Sequence, residues 1–411
     1  MKKFFSMLLA TLIILSAAVM AEASKFGDNY RLEKILILSR HNIRTPHIDT
    51  AKELTAQKWV NWSAPSRELT LRGGLVETEL GQYFRKYLID ENFMPENYQP
   101  AEGEFRFYAN ARQRTVATAQ YFSGGLLPVA NARIEFKPPL ETRDIVFNTR
   151  LTFVNDKFSA DFDSQVAKYF GEKNFSGDFA VIEKVLDFKN SPYAKKTGDK
   201  NFRVTETKLP LKVGKQPNVS GLTFAAVEAA DSLVLQYYET GTAFGKKLSD
   251  KQWKAIGVVN GIPTDIVALP AAALNIAQPT IVFMNDELNN AARKFSFMCG
   301  HDTNLAAVMT ALGVEDYILS DTIETRTPIG SKVVVEKWRG SDGQIYATLN
   351  LVYPTVKQLR NIETLTLDNP PKILPLRLKG LQANSDGLYL FDDVLKRFAE
   401  VLAEYDAQKN F

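Results

Sequence analysis

The period at which hydrophobic and polar positions recur changes along the chain, and each change marks an element. Ile35-Leu36-Ile37-Leu38 is a continuous run of β-formers that ends in a polar knot, Ser39-Arg40-His41-Asn42-Ile43-Arg44-Thr45-Pro46. Such a run predicts a buried parallel strand. After Gly73-Gly74, the residues Val76, Leu80, Tyr83 and Tyr87 follow one helical face. Residues 104–108 alternate polar and apolar and predict a strand. It runs into Ala109-Asn110-Ala111-Arg112-Gln113-Arg114-Thr115, with a helix to about Phe122. Between about 141 and 285 strand patterns become rare and polar turns separate helical stretches, of which 224–238 is the clearest. This region is expected to be a mostly helical insertion. Residues 295–299 form a second buried strand pattern that ends in Gly300-His301-Asp302-Thr303-Asn304, and a helix follows over about 305–312. Residues 333–338 and 346–352 predict two more strands, and 391–405 a closing amphipathic helix.

Composition narrows the setting. The chain has 411 residues, 45% hydrophobic and 24% charged, with a net charge of +3 and no long basic block. This is globular composition with little to attract nucleic acid. Residues 1–23 resemble a secretory signal: Lys2 and Lys3, an apolar centre over 8–19, then Ala21-Glu22-Ala23 before Ser24. The apolar centre is short for a membrane span. The expectation is a mature chain from residue 24, exported and without a membrane anchor. Cys299 is the only cysteine, so no internal disulfide can form, and its place in an apolar strand predicts a small buried hydrophobe.

Candidate chemistry sits at three strand ends. One offers Arg40, His41 and Arg44, the next Arg114, and the last His301 and Asp302. The chain has only three histidines, so two at strand ends carry information. Ligands of open α/β sheets bind beyond such ends. Cations and donors around one carboxyl would hold a phosphoryl group and its equatorial oxygens. A histidine nitrogen can attack phosphorus, and a carboxylic acid can protonate the leaving alkoxide and later take a proton from water. Arg112 is expected to be a solvated helix start. His41 and His47 lack metal-ligand spacing, and there is no H-E-x-x-H and no G-x-S-x-G. No metal and no cofactor is expected.

Arg40-His41-x-x-Arg44-x-Pro46 together with His301-Asp302 resembles the histidine acid phosphatase family, in the family's order and across the mature chain. The resemblance implies an α/β fold: a three-layer core of the phosphoglycerate-mutase-like type over 24–140 and 286–411, with a smaller, mostly helical inserted domain over 141–285. It implies His41 as nucleophile and Asp302 as proton donor, with Arg40, Arg44, Arg114 and His301 binding phosphate. Asn42 stands where the family commonly has glycine. That asparagine, Leu235-Gln236-Tyr237-Tyr238-Glu239 and Arg326-Thr327-Pro328-Ile329-Gly330 are similar to the bacterial periplasmic glucose-1-phosphatases of the family. By that similarity Asn42 and Glu239 belong to the substrate pocket, Glu239 limiting access, and the location is periplasmic. The chain lacks the disulfide cysteines usual in bacterial relatives. The implied partner is a small phosphorylated molecule, a sugar phosphate such as glucose 1-phosphate. A phytase of the same mechanism is the rival, disfavoured because His47, Asp49 and Glu239 bring no surplus of positive charge. A cofactor-dependent mutase fits poorly with export, and an inert phosphate-binding protein would need neither His41 nor Asp302.

Cations around His41 disfavour its protonated form, and a bound phosphate dianion favours a protonated acid beside it. The pH–rate profile is therefore expected to peak clearly below neutrality. An alkaline optimum would rule this chemistry out.

Overall fold

The computed structural model describes residues 26–205 and 208–411; the signal-like segment lies outside the described residues. An eight-stranded mixed sheet forms the centre. Its strands are β1 Tyr30–Arg40, β2 Phe105–Ala109, β3 Ile134–Glu135, β4 Phe295–Gly300, β5 Lys332–Gly340, β6 Ile345–Tyr353, β7 Lys372–Pro375 and β8 Tyr389–Leu390. The order is β3-β2-β4-β1-β5-β6-β7, with β8 also paired to β6. Ile35, Leu36, Ile37 and Leu38 are all buried. A strand apolar on both faces needs helices on both sides, and β1 accordingly lies inside the sheet. It pairs parallel with β4 and antiparallel with β5, so the sheet is parallel only on one side of β1.

Register levels the ends that carry the polar knots. Ile35 pairs with Phe295 and Arg40 with Gly300, while Ala109 pairs with Cys299. The pairing continues one step further, with His41 N donating to Gly300 O at 3.1 Å and Asn110 N to Cys299 O at 2.9 Å. Residues 41, 110 and 301 therefore leave the sheet side by side.

Two groups of helices cover the sheet. Helix α1 (Leu71–Asp90) packs on α2 (Gln113–Leu126), and α2 in turn on β4. Thr70 caps α1 by accepting from Gly73 N at 3.1 Å. A Cβ on Gly73 would lie 2.2 Å from Ile43 O, so only glycine lets α1 start directly against the loop after β1. Further helices include α3 (Asp156–Glu172) and α4 (Gly221–Thr240), then α5 (Pro270–Asn289), α6 (Asp302–Ala311) and α7 (Phe391–Lys409). Helix α5 packs on α6 and α7. Its C-terminal carbonyls are tied to β1 by buried Lys34, whose Nζ donates to Glu287 O, Leu288 O and Asn290 O at 3.1, 2.7 and 2.6 Å. A cation there satisfies groups that the helix leaves unpaired.

The strand expectations near the site are met by β1, β2 and β4, and those near the end by β5 and β6. The edge strands β3, β7 and β8 have two to four residues, too few for a period. The expected boundary at 285 falls inside α5, which runs unbroken to Asn289. Cys299 is a free, buried thiol, and burial pushes its pKa up, as suits a small apolar residue. Trp59 packs on Phe244 and donates to Ala51 O at 2.9 Å. Among the described residues no helix is long and apolar enough to cross a membrane.

Candidate active site

The levelled strand ends open into a cavity of about 610 Å³. His41, Arg44, Arg114, His301 and Asp302 line it, as do Asn110, Glu228 and Asp231. Arg40 sits behind, with 5% of its side chain exposed, and its Nη2 lies 3.2 Å from Asp302 Oδ2. Its Nη1 donates to Thr327 O. Asp302 also accepts from Thr303 N at 2.7 Å. It opens α6 as the first residue after His301, which caps that helix.

His41 Nδ1 lies 2.9 Å from Asn42 O. A carbonyl can only accept, so the ring carries its proton on Nδ1 and keeps the Nε2 lone pair free. The His41 and His301 rings meet edge to face with centroids 5.5 Å apart. The Asn110 amide meets His301 Nε2 at 2.7 Å, and Arg114 Nη2 lies 3.4 Å from His301 Nδ1. Arg44 makes a two-pronged contact with Asp231, at 3.0 and 3.1 Å.

Burial first, then Arg114, His301, Arg44 and Arg40, hold His41 well below the usual imidazole range. His301 is lowered by burial and by Arg114, Arg112, Arg44 and Arg40. Burial and the guanidiniums of Arg44, Arg67 and Arg112 pull Arg114 down to about 9. Burial is the first cause of each shift, and the guanidiniums crowded around the two rings add to it. The site is set for an anion beside a neutral imidazole.

Two residues expected in the pocket are not in its lining. Asn42 is fully buried; its side chain accepts from Ile43 N and donates to Glu77 Oε2, both at 2.8 Å. It faces the interior because β1 has ended and the loop has turned under α1. Glu239 accepts from Thr70 Oγ1 at 3.2 Å, near the C-terminal end of α4. The carboxylates of α4 that reach the cavity are Glu228 and Asp231. They share roughly the same helical face as Glu239 but lie two to three turns nearer the N-terminus, about 12–16 Å along the axis. Arg112 also differs from expectation: it lines the cavity and pairs with Glu141. His47 lies at the start of the short helix Ile48–Glu53, in contact with Thr50. Among the described residues, no cluster of three or more His, Cys, Asp or Glu could hold a metal ion.

A family model of the histidine phosphatase superfamily (branch 2) matches residues 31–170. A glucose-1-phosphatase of Salmonella typhimurium is 30% identical over 414 residues, spanning 97% of this chain and 100% of that protein. The chain belongs to branch 2 of the histidine phosphatase superfamily. As a histidine phosphatase it is a phosphoric monoester hydrolase, and small phosphorylated molecules suit its site. A glucose-1-phosphatase of Providencia rettgeri is likewise 30% identical, over 94% of this histidine phosphatase and 96% of that protein. The phytase of Citrobacter braakii superposes with a TM-score of 0.80 at 25% identity, covering 92% of this chain and 98% of that one.

The depressed imidazoles have a consequence for stability. In the folded protein they stay neutral, whereas the unfolded chain protonates them below about pH 6.5. The unfolded state then binds more protons, so stability falls as pH drops through about 6.5, by up to about 1.4 kcal/mol per pH unit for each histidine. In phosphate-free buffer, His41→Asn is expected to unfold in urea with a shallower pH slope between about pH 6.5 and 5 than the parent chain. Equal slopes would contradict the depressed His41.

Proposed function

We propose that this histidine phosphatase hydrolyses sugar phosphates, glucose 1-phosphate among them, at acid pH. The carrying observation is a neutral His41 with Nε2 free beside the guanidiniums of Arg40, Arg44 and Arg114, in a wider cavity whose formal charges balance. Six arginines line it, Arg44, Arg67, Arg112, Arg114, Arg143 and Arg150, against six carboxylates, Glu68, Glu141, Asp144, Glu228, Asp231 and Asp302. Such a lining suits one phosphate dianion attached to a neutral, hydroxyl-rich leaving group. Burial and neighbouring Asp231 push Glu228 up to about 7. At acid pH its carboxyl is protonated and can both donate to and accept from sugar hydroxyls.

In the proposed reaction the phosphate displaces Asp231 from Arg44 and is held by Arg40, Arg44, Arg114 and His301. His41 Nε2 attacks phosphorus as the bond to the leaving oxygen breaks, and the Asp302 carboxyl gives that oxygen its proton. The guanidiniums stabilise the spread charge of the transition state. Water then attacks the phosphohistidine while the Asp302 carboxylate takes its proton, and inorganic phosphate leaves. No step needs a metal ion. The signal-like residues 1–23 support export, and the resemblance to bacterial glucose-1-phosphatases supports a periplasmic home.

The phytase reading is favoured by the cavity's size and by the Citrobacter braakii phytase fold. The phytase AppA of Escherichia coli is also 27% identical over 388 residues, 87% of this chain and 89% of that protein. The two readings separate by kcat/KM for glucose 1-phosphate and phytate, measured in parallel at about pH 5 with EDTA present. The expected result is a preference for the sugar phosphate of at least roughly tenfold, about 1.4 kcal/mol of differential transition-state binding. His41→Ala should lower activity on both by about 10³-fold or more. A preference for phytate overturns the substrate, and collapse under EDTA overturns the mechanism.

A further inference from the structure

Directly beneath the loop that carries His41 lies a buried ion pair that no step of the reaction uses. Glu77 of α1 and Lys332 of β5 both have 0% side-chain exposure, with Nζ and Oε1 2.7 Å apart. Lys332 Nζ also donates to Ser39 Oγ at 3.0 Å and Gly330 O at 3.2 Å. It lies over the rings of Phe122 and Phe297 at 5.2 and 5.5 Å. The second carboxylate oxygen of Glu77 accepts from Asn42 Nδ2. Lys332 Nζ thus meets three acceptors, and both carboxylate oxygens of Glu77 have a partner.

Stability alone does not account for such a pair. Removing two charges from water costs about what their attraction returns, and apolar replacements of similar shape are often neutral or stabilising. What the pair adds is position. Its carboxylate joins three elements: α1 through Glu77, β5 through Lys332, and the loop after β1 through Asn42. Asn42 is held at every other polar atom too. Its Oδ1 accepts from Ile43 N at 2.8 Å, and its own N donates to Thr118 Oγ1 at 3.2 Å. Thr118 Oγ1 in turn donates to Arg114 O at 2.7 Å. The remaining polar atom of Asn42 is the carbonyl that accepts from His41 Nδ1. Gly330, at φ +72°, leaves room for this arrangement, since a Cβ there would stand 2.7 Å from Asn42 Nδ2.

We propose that Glu77, charge-balanced by Lys332, is a positioning residue that acts through Asn42 to fix the His41 ring with Nε2 toward the substrate. The asparagine that stands in place of the family's common glycine is, on this account, the strut between the ion pair and the nucleophile. Glu77 and Lys332 touch no substrate. Their effect is on which His41 nitrogen carries the proton and how the ring is aimed. Small errors of aim are costly, since a misplacement of about 1 Å can lower a rate about 100-fold.

The inference rests on the reading of His41 as nucleophile, so the test has one arm that needs no turnover. Glu77→Leu/Lys332→Met removes both charges and the contact to Asn42 while leaving the volume filled. Glu77→Gln/Lys332→Met removes the charges but keeps an amide oxygen for Asn42 Nδ2. Because the chain has only three histidines, imidazole ¹⁵N shifts can be assigned by single replacements. The parent chain should show His41 protonated on Nδ1. The Leu/Met variant, folded by urea melt, should show a mixture of tautomers, with kcat lowered about 10- to 100-fold and KM little changed. The Gln/Met variant should recover most of both losses. Should the double variants fail to fold, Asn42→Ala keeps the ion pair and should show the same mixed tautomer and lowered kcat. A folded Leu/Met or Asn42→Ala variant with the parent tautomer and kcat overturns the proposal. A parent chain with the expected tautomer but no phosphatase activity would instead overturn the functional reading.

Discussion

The parallel register of β1 with β4 is the constraint on which the site depends. Arg40 faces Gly300 across the ladder, so the next residue of each strand is a histidine, and the two rings meet at the carboxyl edge. Ile35 to Leu38 are buried on both faces, so the apolar run fixes the depth of β1 in the sheet. The ladder itself levels the ends, continued by His41 N to Gly300 O and Asn110 N to Cys299 O. The short link from β2 to α2 completes the set, because Ala109 lies level with Cys299 and Asn110 and Arg114 follow at once.

On that frame the chain assembles charge that would repel itself in isolation. Arg40 is held by Asp302 and the Thr327 carbonyl, and Arg44 by Asp231. Arg114, half-buried, meets a backbone carbonyl of Arg67 and the His301 ring. Burial and these guanidiniums keep the two histidines neutral. One electrostatic arrangement thus favours an anion and keeps the imidazole unprotonated, as the proposed nucleophile requires. In the proposed reaction Asp231 is a placeholder that holds Arg44 until phosphate takes its place.

Much of this was legible in the sequence for identifiable reasons. β1 and β4 are continuous apolar runs, and the polar knots after them stand out against those runs. The residues at those ends could be named because a strand end fixes where the next side chains go. The contributions of α4 were not legible in the same way. Glu228 and Asp231 sit on a helix far from both knots, and nothing local distinguishes them from solvated carboxylates. Matching by motif selected Glu239, which shares their face but lies too far along the axis. Similarity to the bacterial glucose-1-phosphatases assigns Asn42 to the pocket, yet only the turn of the loop beneath α1 decides that its side chain points inward. Arg112 looked like a solvated helix start because its partner, Glu141, lies beyond β3 with no pattern to tie the two.

The central claim is that phosphate passes through His41 Nε2. Rapid acid-free quench of the parent chain during turnover of a ³²P-labelled sugar phosphate, followed by peptide mapping, tests it most directly. The account predicts label on the peptide containing His41, stable in alkali and lost in acid as a phosphoramidate must be, and no label in His41→Ala. Label on any other residue, or single-turnover phosphate release with no covalent protein–phosphate species, would contradict it.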